Sequence, residues 1–274
     1  MKNSIGIMQG RLSPPIGGKI QFFPKTNWQE EFPILKKIGI QNLEWTFDKS
    51  DLFANPIISP LALQKVVLLA REYEVQIRTA TCDNLMNAPI HKVGPEGTTS
   101  HQELEKFLNL LGQSPISIIV WPLVDAGSIA TKSEFKSFIG NLTKHISTLR
   151  SNNIRVAFET DLLPEQNRSL LDELPSEIFG INLDIGNSAS YGNSIIHEWL
   201  LYGDRIMNVH LKDRVFKGAT VPLGKGAVIW EDVTRVVSEF NGLLIMQCAR
   251  IPEISEIETI KKYLRFLKNK GVIT

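Results

Sequence analysis

The sequence predicts an α/β fold, a single-domain (β/α)8 TIM barrel over residues 1–274. Three observations carry that reading. Short, continuously apolar runs alternate with amphipathic stretches eight times, the pattern of a parallel sheet with helices outside it. A chain of 274 residues suits one such barrel, which takes about 250. Several apolar runs also stop at a polar, ligand-type side chain, which is how barrel strands deliver chemistry at their carboxyl ends. An open doubly wound sheet is the competing arrangement. No glycine-rich phosphate loop follows the first run to support it.

Residues 4–8 form the first strand, ended by Gln9-Gly10-Arg11, and Pro and Gly make 12–23 a loop. A helix begins at Asn27 with Trp28, Phe32, Leu35 and Ile38 as its apolar positions. Pro33 kinks it or delays its start, and Gly39 ends it. Strand two covers 40–45, with Glu44 near its end. Ser59 as N-cap and Pro60 at the first helical position open the next helix. Strand three covers 75–80 and runs out near Thr81-Cys82-Asp83, and residues 84–99 read as a loop long enough to cover a site. A helix over 100–111 and strand four over 116–121 follow. Thr131-Lys132-Ser133-Glu134 is a capping box for a helix reaching about residue 150. Next come strand five at 154–158, a helix at 166–173, strand six at 179–183, a helix at 194–201 and strand seven at 206–209. Residues 212–229 form a polar, glycine-bearing loop before a helix over 230–240. Strand eight is 243–246, and Ser255-Glu256-Ile257-Glu258 is a second capping box, opening a last helix to about residue 269.

The net charge of +1, with 43% hydrophobic and 22% charged residues, is that of an ordinary globular chain and sets up no field for nucleic acid or membrane. Cys82 and Cys248 sit in or at the end of apolar runs and read as buried free thiols in a reducing cytosol. The first residues lack the apolar core and cleavage site of a signal peptide, and no run approaches a membrane span. The expected location is cytoplasmic.

Glu159, Asp184, His210 and Gln247 close strands five, six, seven and eight, so their side chains are expected side by side around half of one rim. Two carboxylates, an imidazole and an amide oxygen suit one divalent ion, Mn²⁺ or Mg²⁺, or Zn²⁺ or Co²⁺ through the imidazole. Singly, a strand-end Glu or His is as often a structural hydrogen-bond partner; four consecutive strands ending this way are less easily accidental.

The order Phe158-Glu159-Thr160, Leu183-Asp184-Ile185-Gly186-Asn187, Val209-His210-Leu211-Lys212-Asp213-Arg214 and the stretch 223–230 (LGKGAVIW) resembles the xylose isomerase-like TIM-barrel superfamily. Within it the chain is similar to the sugar phosphate isomerase/epimerase group, which includes tagatose-type epimerases, hydroxypyruvate isomerase, inosose-processing enzymes and endonuclease IV. The similarity covers nearly the whole chain, with residues 6–12 and 247–250 resembling one branch of that group. The motifs are specific for the superfamily and poorly specific for a substrate.

The resemblance implies a divalent metal held at Glu159, Asp184, His210 and Gln247, with Glu159 and Gln247 at the catalytic positions. In the ketose epimerases of the group both of those positions are glutamates, acid and base on opposite faces of an enediolate. This chain departs there, because Gln247 can offer an oxygen but cannot accept a proton. Glu159 alone supports a one-base aldose–ketose isomerisation, and Glu44 is the candidate for a replacement base. Asn187 stands where the epimerases usually carry a histidine; it can bind a hydroxyl but cannot shuttle a proton.

Arg11, Lys212, Arg214 and Arg250 cluster near strand ends, with Lys225 in the following loop, and suit a substrate phosphate or carboxylate. Gln9, at the polar tip of strand one, joins them as a substrate contact. Trp45 and Trp121 can stack on a sugar face or pack the rim. His91 and His101, in or beside the loop after strand three, read as surface residues. The basic last helix reads as a solvated outer face. The leading expectation is a metal-dependent isomerase or epimerase of a small sugar or sugar phosphate, with Glu159 as base. A lyase or dehydratase on a polyol is the alternative, as is a sugar-binding barrel that has lost its second acid. Neither nucleic acid nor membrane is expected as a partner, and the chain is compatible with a homodimer.

Overall fold

The computed structural model describes residues 3–16, 21–48, 52–92 and 99–274. Eight parallel strands close a barrel in chain order: β1 (Ser4–Met8), β2 (Asn42–Phe47), β3 (Thr79–Cys82), β4 (Ile118–Leu123), β5 (Arg155–Thr160), β6 (Phe179–Asp184), β7 (Ile206–Leu211) and β8 (Leu243–Met246), which pairs back to β1. The outer helices are α1 (Glu31–Ile38), α2 (Leu63–Glu72), α3 (His101–Leu111), α4 (Lys132–Leu142), α5 (Pro164–Asp172), α6 (Ile195–Tyr202), α7 (Trp230–Glu239) and α8 (Glu256–Asn269). This is the (β/α)8 barrel that the rhythm of the sequence predicts.

Strands two, three and five start later than their apolar runs do, for one physical reason. Gly39, Glu74 and Asn153 each adopt a left-handed conformation at a helix exit. The next residue then returns its N–H to the helix: Ile40 to Leu35, Val75 to Ala70 and Ile154 to Leu149, at 3.0, 2.8 and 2.9 Å. These apolar residues close helix ends and do not begin strands. At the other end, a 3-10 turn over Trp28–Glu30 precedes α1, so Pro33 falls in the first turn, where its missing N–H costs nothing. Ser59 does not cap α2: its carbonyl accepts the N–H groups of Ala62 and Leu63, and the helix starts at Leu63. The capping boxes at Thr131/Glu134 and Ser255/Glu258 form, as does one at Ser100/Glu103.

Side chains alternate across each strand with period two, and this decides what faces the lumen. Met8, Leu243 and Ile245 form an apolar cluster of their own, apart from the main core between strands and helices. Gly6 keeps that layer open, since a Cβ there would lie 2.6 Å from Ile245 Cδ1 and 2.9 Å from Asn42 Cβ. Above it lies a polar layer of Glu44, Asn182 and Asn208, joined by hydrogen bonds from Asn208 Nδ2 to Glu44 Oε2 and to Asn182 Oδ1, both 2.9 Å. Residues of the opposite parity, such as Trp45, Phe47, Trp121, Phe158 and Val209, pack outward in the main core.

The loop after β1 is pinned by a buried carboxylate. Glu31 accepts hydrogen bonds from Gly10 N at 3.0 Å, Leu12 N at 3.3 Å and Ser13 Oγ at 3.0 Å. Glu31→Ala strands these buried donors, and urea unfolding is expected to show a loss of about 3 kcal/mol. A loss below about 0.5 kcal/mol would mean that the loop holds itself.

Residues 84–99 are not wholly loop, since a short helix over Asp83–Asn87 begins the stretch; residues 93–98 lie outside the described residues. Residues 212–229 contain a two-stranded ladder, Asp213–Arg214 with Thr220–Val221. Asp213 organises it by accepting the N–H groups of Gly224, Gly226 and Val228. Cys82 and Cys248 are free and buried, and among the described residues no helix is long and apolar enough to cross a membrane.

Candidate metal centre

Period-two alternation points Glu159 on β5, Asp184 on β6 and His210 on β7 into one space above the polar layer. A ligand atom from each lies within 4.8 Å of the others. Asp184 Oδ1 accepts the N–H of Asn187 at 2.9 Å and so caps a short helix, Ile185–Tyr191, absent from the sequence-based expectation. That bond leaves Asp184 Oδ2 facing the site, where Lys212 Nζ pairs with it at 2.5 Å.

His210 is wholly buried and held at both nitrogens. Its Nε2 lies 2.7 Å from Glu44 Oε1, which also accepts from Thr81 Oγ1 at 2.8 Å. Its Nδ1 faces Glu159 Oε2 at 3.3 Å without a hydrogen bond. Burial alone would disfavour the charged imidazole, but Glu44 and Glu159 outweigh it and push the group up to about 10. Burial would likewise raise the Glu159 carboxyl, but the His210 contact, then the charges of Lys212 and His210, hold it down at about 2. Glu159 further accepts from Asn187 Nδ2 at 2.8 Å and Asn182 Nδ2 at 3.2 Å.

Gln247 follows β8 and lines the cavity onto which Glu159 opens. Its Nε2 donates to Gln21 Oε1 at 2.9 Å, while its buried Oε1 has no hydrogen-bond partner. Asp184 Oδ2, His210 Nδ1 and Gln247 Oε1 are ligand-type atoms that are buried without a hydrogen-bond partner. Lys212 faces the first and Glu159 the second, and Asp184 also stands against the Glu159 carboxylate. What singles out Glu159, Asp184 and His210 is that one ligand atom of each lies within 4.8 Å of the others, and two carboxylates with an imidazole fit a divalent cation with mixed oxygen and nitrogen ligands. The Nε2–H to Glu44 bond is the carboxylate–histidine pairing that leaves Nδ1 to a metal.

Glu159, Asn187, Lys212 and Gln247 open on a cavity of about 660 Å³, with Asp83 and Arg214 also in its wall. Arg214 Nη1 donates to Asn187 Oδ1 at 2.7 Å, and its Nε and Nη2 donate to Gly218 O. Asn187 thus spends both amide ends on protein, bridging Arg214 to Glu159.

The pattern of the xylose isomerase-like TIM barrel family matches residues 32–270. The chain belongs to that family. No curated protein matches the sequence. Among solved structures, a xylose isomerase domain protein from Planctomyces limnophilus is similar at 13% identity over 98% of each chain, with a TM-score of 0.75. A D-psicose 3-epimerase, solved in the presence of D-fructose, is similar at 12% identity over 98% of this chain and 99% of its own, TM-score 0.75. The IOLI protein, solved with a binding zinc atom, is similar at 13% identity over 98% of each chain, TM-score 0.74. At these identities the likeness is one of fold.

In this xylose isomerase-like barrel the expected site residues divide. Glu159, Asp184 and His210 meet, and Gln247 lines the adjoining cavity with Glu159, Asn187, Lys212 and Arg214. Glu44 does not reach the cavity: it lies beneath His210 with its oxygens taken by His210, Thr81 and Asn208, so it orients the imidazole and cannot be a replacement base. Trp45 has the opposite parity to Glu44 and points outward. Its ring packs 5.5 Å from Phe23 and 5.7 Å from Trp28, and its Nε1 donates to Asn55. Trp121 likewise packs on Phe138. Neither tryptophan can stack on a substrate in the cavity.

Gln9 is buried against β2, its Oε1 accepting from Thr46 N at 3.2 Å. Arg250 staples the β1 loop through the carbonyls of Ser13 and Gly10, at 2.9 and 2.6 Å. Arg11 and Arg250 line a separate cavity of about 320 Å³ beside α8, and burial lowers Arg11 to about 10. Lys225 is exposed on its loop. His91 is not a surface residue but packs edge-on against Phe138, with centroids 5.5 Å apart, and His101 pairs with His145; neither lines the cavity. Asp83, Gln21, Asn182 and Asn208 belong to the site or its support without having been singled out in the sequence. Asp83 obeys the strand-tip rule used for Glu159, and Asn182 and Asn208 stand two residues before Asp184 and His210, on the same strand face.

Proposed function

We propose that the chain is a divalent-metal-dependent isomerase or epimerase of a small sugar, with Glu159 as the proton-transferring base. The observation that carries the reading is the buried group of Glu159, Asp184 and His210, with ligand atoms within 4.8 Å of one another and Glu159 opening on the cavity that Gln247 also lines. When bound, a divalent ion supplies polarisation of a substrate carbonyl. Asp184, His210 and Gln247 would hold it, with Glu159. The chain's own residues do the rest. Asn182 and Asn187 fix the Glu159 carboxylate, which takes a proton from the hydroxyl-bearing carbon beside the carbonyl and returns it to the former carbonyl carbon, while the hydroxyl proton passes to the former carbonyl oxygen.

Because Gln247 cannot accept a proton and Glu44 lies below the site, transfer on one face by Glu159 is favoured over a two-carboxylate epimerisation. Lining charges favour a neutral sugar over a sugar phosphate. Asp83, Asp125, Glu159 and Asp161 line the cavity against Lys212 and Arg214, and both cations already have protein partners. The test is incubation of candidate ketoses and aldoses with the Mn²⁺-loaded protein in deuterated water. Deuterium beside the carbonyl, with an isomerised product, is the expected result. Loss of water without exchange would move the reading to a dehydratase. Metal binding with no turnover of any sugar would leave a sugar-binding barrel.

A further inference from the structure

Three side chains, Gln21 in the loop after β1, Asp83 at the start of the short helix after β3 and Gln247 after β8, form a directional chain in the cavity wall. Gln21 Nε2 donates to Asp83 Oδ2 at 2.7 Å, and Gln247 Nε2 donates to Gln21 Oε1 at 2.9 Å. The oxygen and nitrogen of an amide are told apart by their partners. Here the partner at the end of the chain decides everything upstream. An ionised carboxylate accepts and never donates, so Gln21 must turn its NH₂ to Asp83. Its carbonyl is then left for Gln247, which must turn its own NH₂ outward. That leaves Gln247 Oε1 buried with no hydrogen-bond partner, on a residue that lines the same cavity as Glu159.

We propose that Asp83 is a positioning residue that fixes the polarity of an Asp83–Gln21–Gln247 amide relay and so presents the Gln247 oxygen, not its NH₂, to the cation site. The inference rests on the metal reading above. It gives the Asp83 carboxylate and the Gln21 amide a role that neither strand-tip position nor ligand type would assign. It also accounts for how an amide serves at this position: a carboxylate has two equivalent oxygens, whereas an amide works in only one of its two orientations. Asp83 selects that orientation from the far side of the cavity.

The relay makes a prediction that simple charge loss does not. In the wild-type background, Asp83→Asn lets the amide chain run either way, and Mn²⁺ affinity is expected to fall about twofold when both directions are equally populated and up to about tenfold when the reverse direction is preferred. Gln21→Met, which changes no charge, is expected to weaken Mn²⁺ similarly. In a Gln247→Glu background the sign reverses. There, the Asp83 carboxylate and the carboxylate introduced at position 247 both demand the single NH₂ end of Gln21. Asp83→Asn relieves the conflict by running the chain backward. The double variant should bind Mn²⁺ at least as tightly as Gln247→Glu alone.

Calorimetric titration of Mn²⁺ into the five proteins reads the result. It is run at about pH 8, above the ordinary carboxylate range and above the value of about 7 to which burial raises Asp83. Thermal melting confirms that each is folded, and the Gln247→Glu pair decides the case if Gln21→Met does not fold. Equal loss from Asp83→Asn in both backgrounds overturns the relay in favour of plain charge. No loss from Asp83→Asn in the wild type overturns it outright. No Mn²⁺ uptake by the wild type overturns the metal reading, and the relay with it.

Discussion

Glu159→Gln is expected to lower solvent-deuterium exchange into the substrate by about 10²- to 10⁴-fold, the contribution of a positioned general base. The substitution is nearly isosteric and keeps one oxygen toward the cation site, so Mn²⁺ binding should survive in weakened form. That separation of effects is what identifies a base. Glu159 accepts from Asn182 and Asn187 and lies 3.3 Å from His210 Nδ1. Its low value, about 2, belongs to a carboxylate that is ionised throughout the neutral range. Such a group is a weak base on its own, so substrate acidity must be raised by polarising the neighbouring carbonyl, which is why activity is expected to vanish with chelation. A Glu159→Gln protein that still exchanges deuterium within about tenfold of the wild type would place the base elsewhere in the cavity.

The second large effect is a steep dependence of metal affinity on pH. His210 is raised from its ordinary 6.5 to about 10 by Glu44 and Glu159 against the cost of burial. A group raised in the folded state contributes stability that is full below its unfolded value and disappears as pH climbs through the folded one. The metal-free protein should therefore lose the His210 contribution between about pH 6.5 and 10. A cation needs Nδ1 without its proton, so proton and metal compete across the same window. Apparent Mn²⁺ affinity is expected to rise about tenfold per pH unit there, with about one proton released per ion bound. Calorimetry in buffers of different ionisation enthalpy measures that proton. An affinity flat between about pH 7 and 9 would show that His210 is not a ligand.

The site also shows how far local rules carry. Glu159, Asp184, His210 and Gln247 are legible because each ends an apolar run; the first three lie within 4.8 Å of one another, and Gln247 shares a cavity wall with Glu159. The same rule applied one residue off gave the wrong face for Trp45. Glu44 and Trp45 are neighbours in β2, and period-two alternation sends one into the lumen and the other under the helices. That error was avoidable from the sequence. The misplaced strand starts at Ile40, Val75 and Ile154 were harder, because a helix-closing apolar residue and a strand-opening one look alike until the left-handed residue before it is seen.

What the sequence by itself determined is the eightfold rhythm, the helix caps at Thr131 and Ser255, and the ligand types at four strand tips. These depend on side-chain period and on contacts within a few residues. What only the tertiary structure decided is the depth and direction of each group. Glu44 and His210 are 166 residues apart and meet because strand stagger sets them at neighbouring levels of the lumen. Gln21, Asp83 and Gln247 follow three different strands, and the usable orientation of Gln247 depends on a carboxylate 164 positions away in the chain. Ligand type is a property of a residue, but which of its atoms remains without a partner depends on everything packed around it, and that packing is non-local.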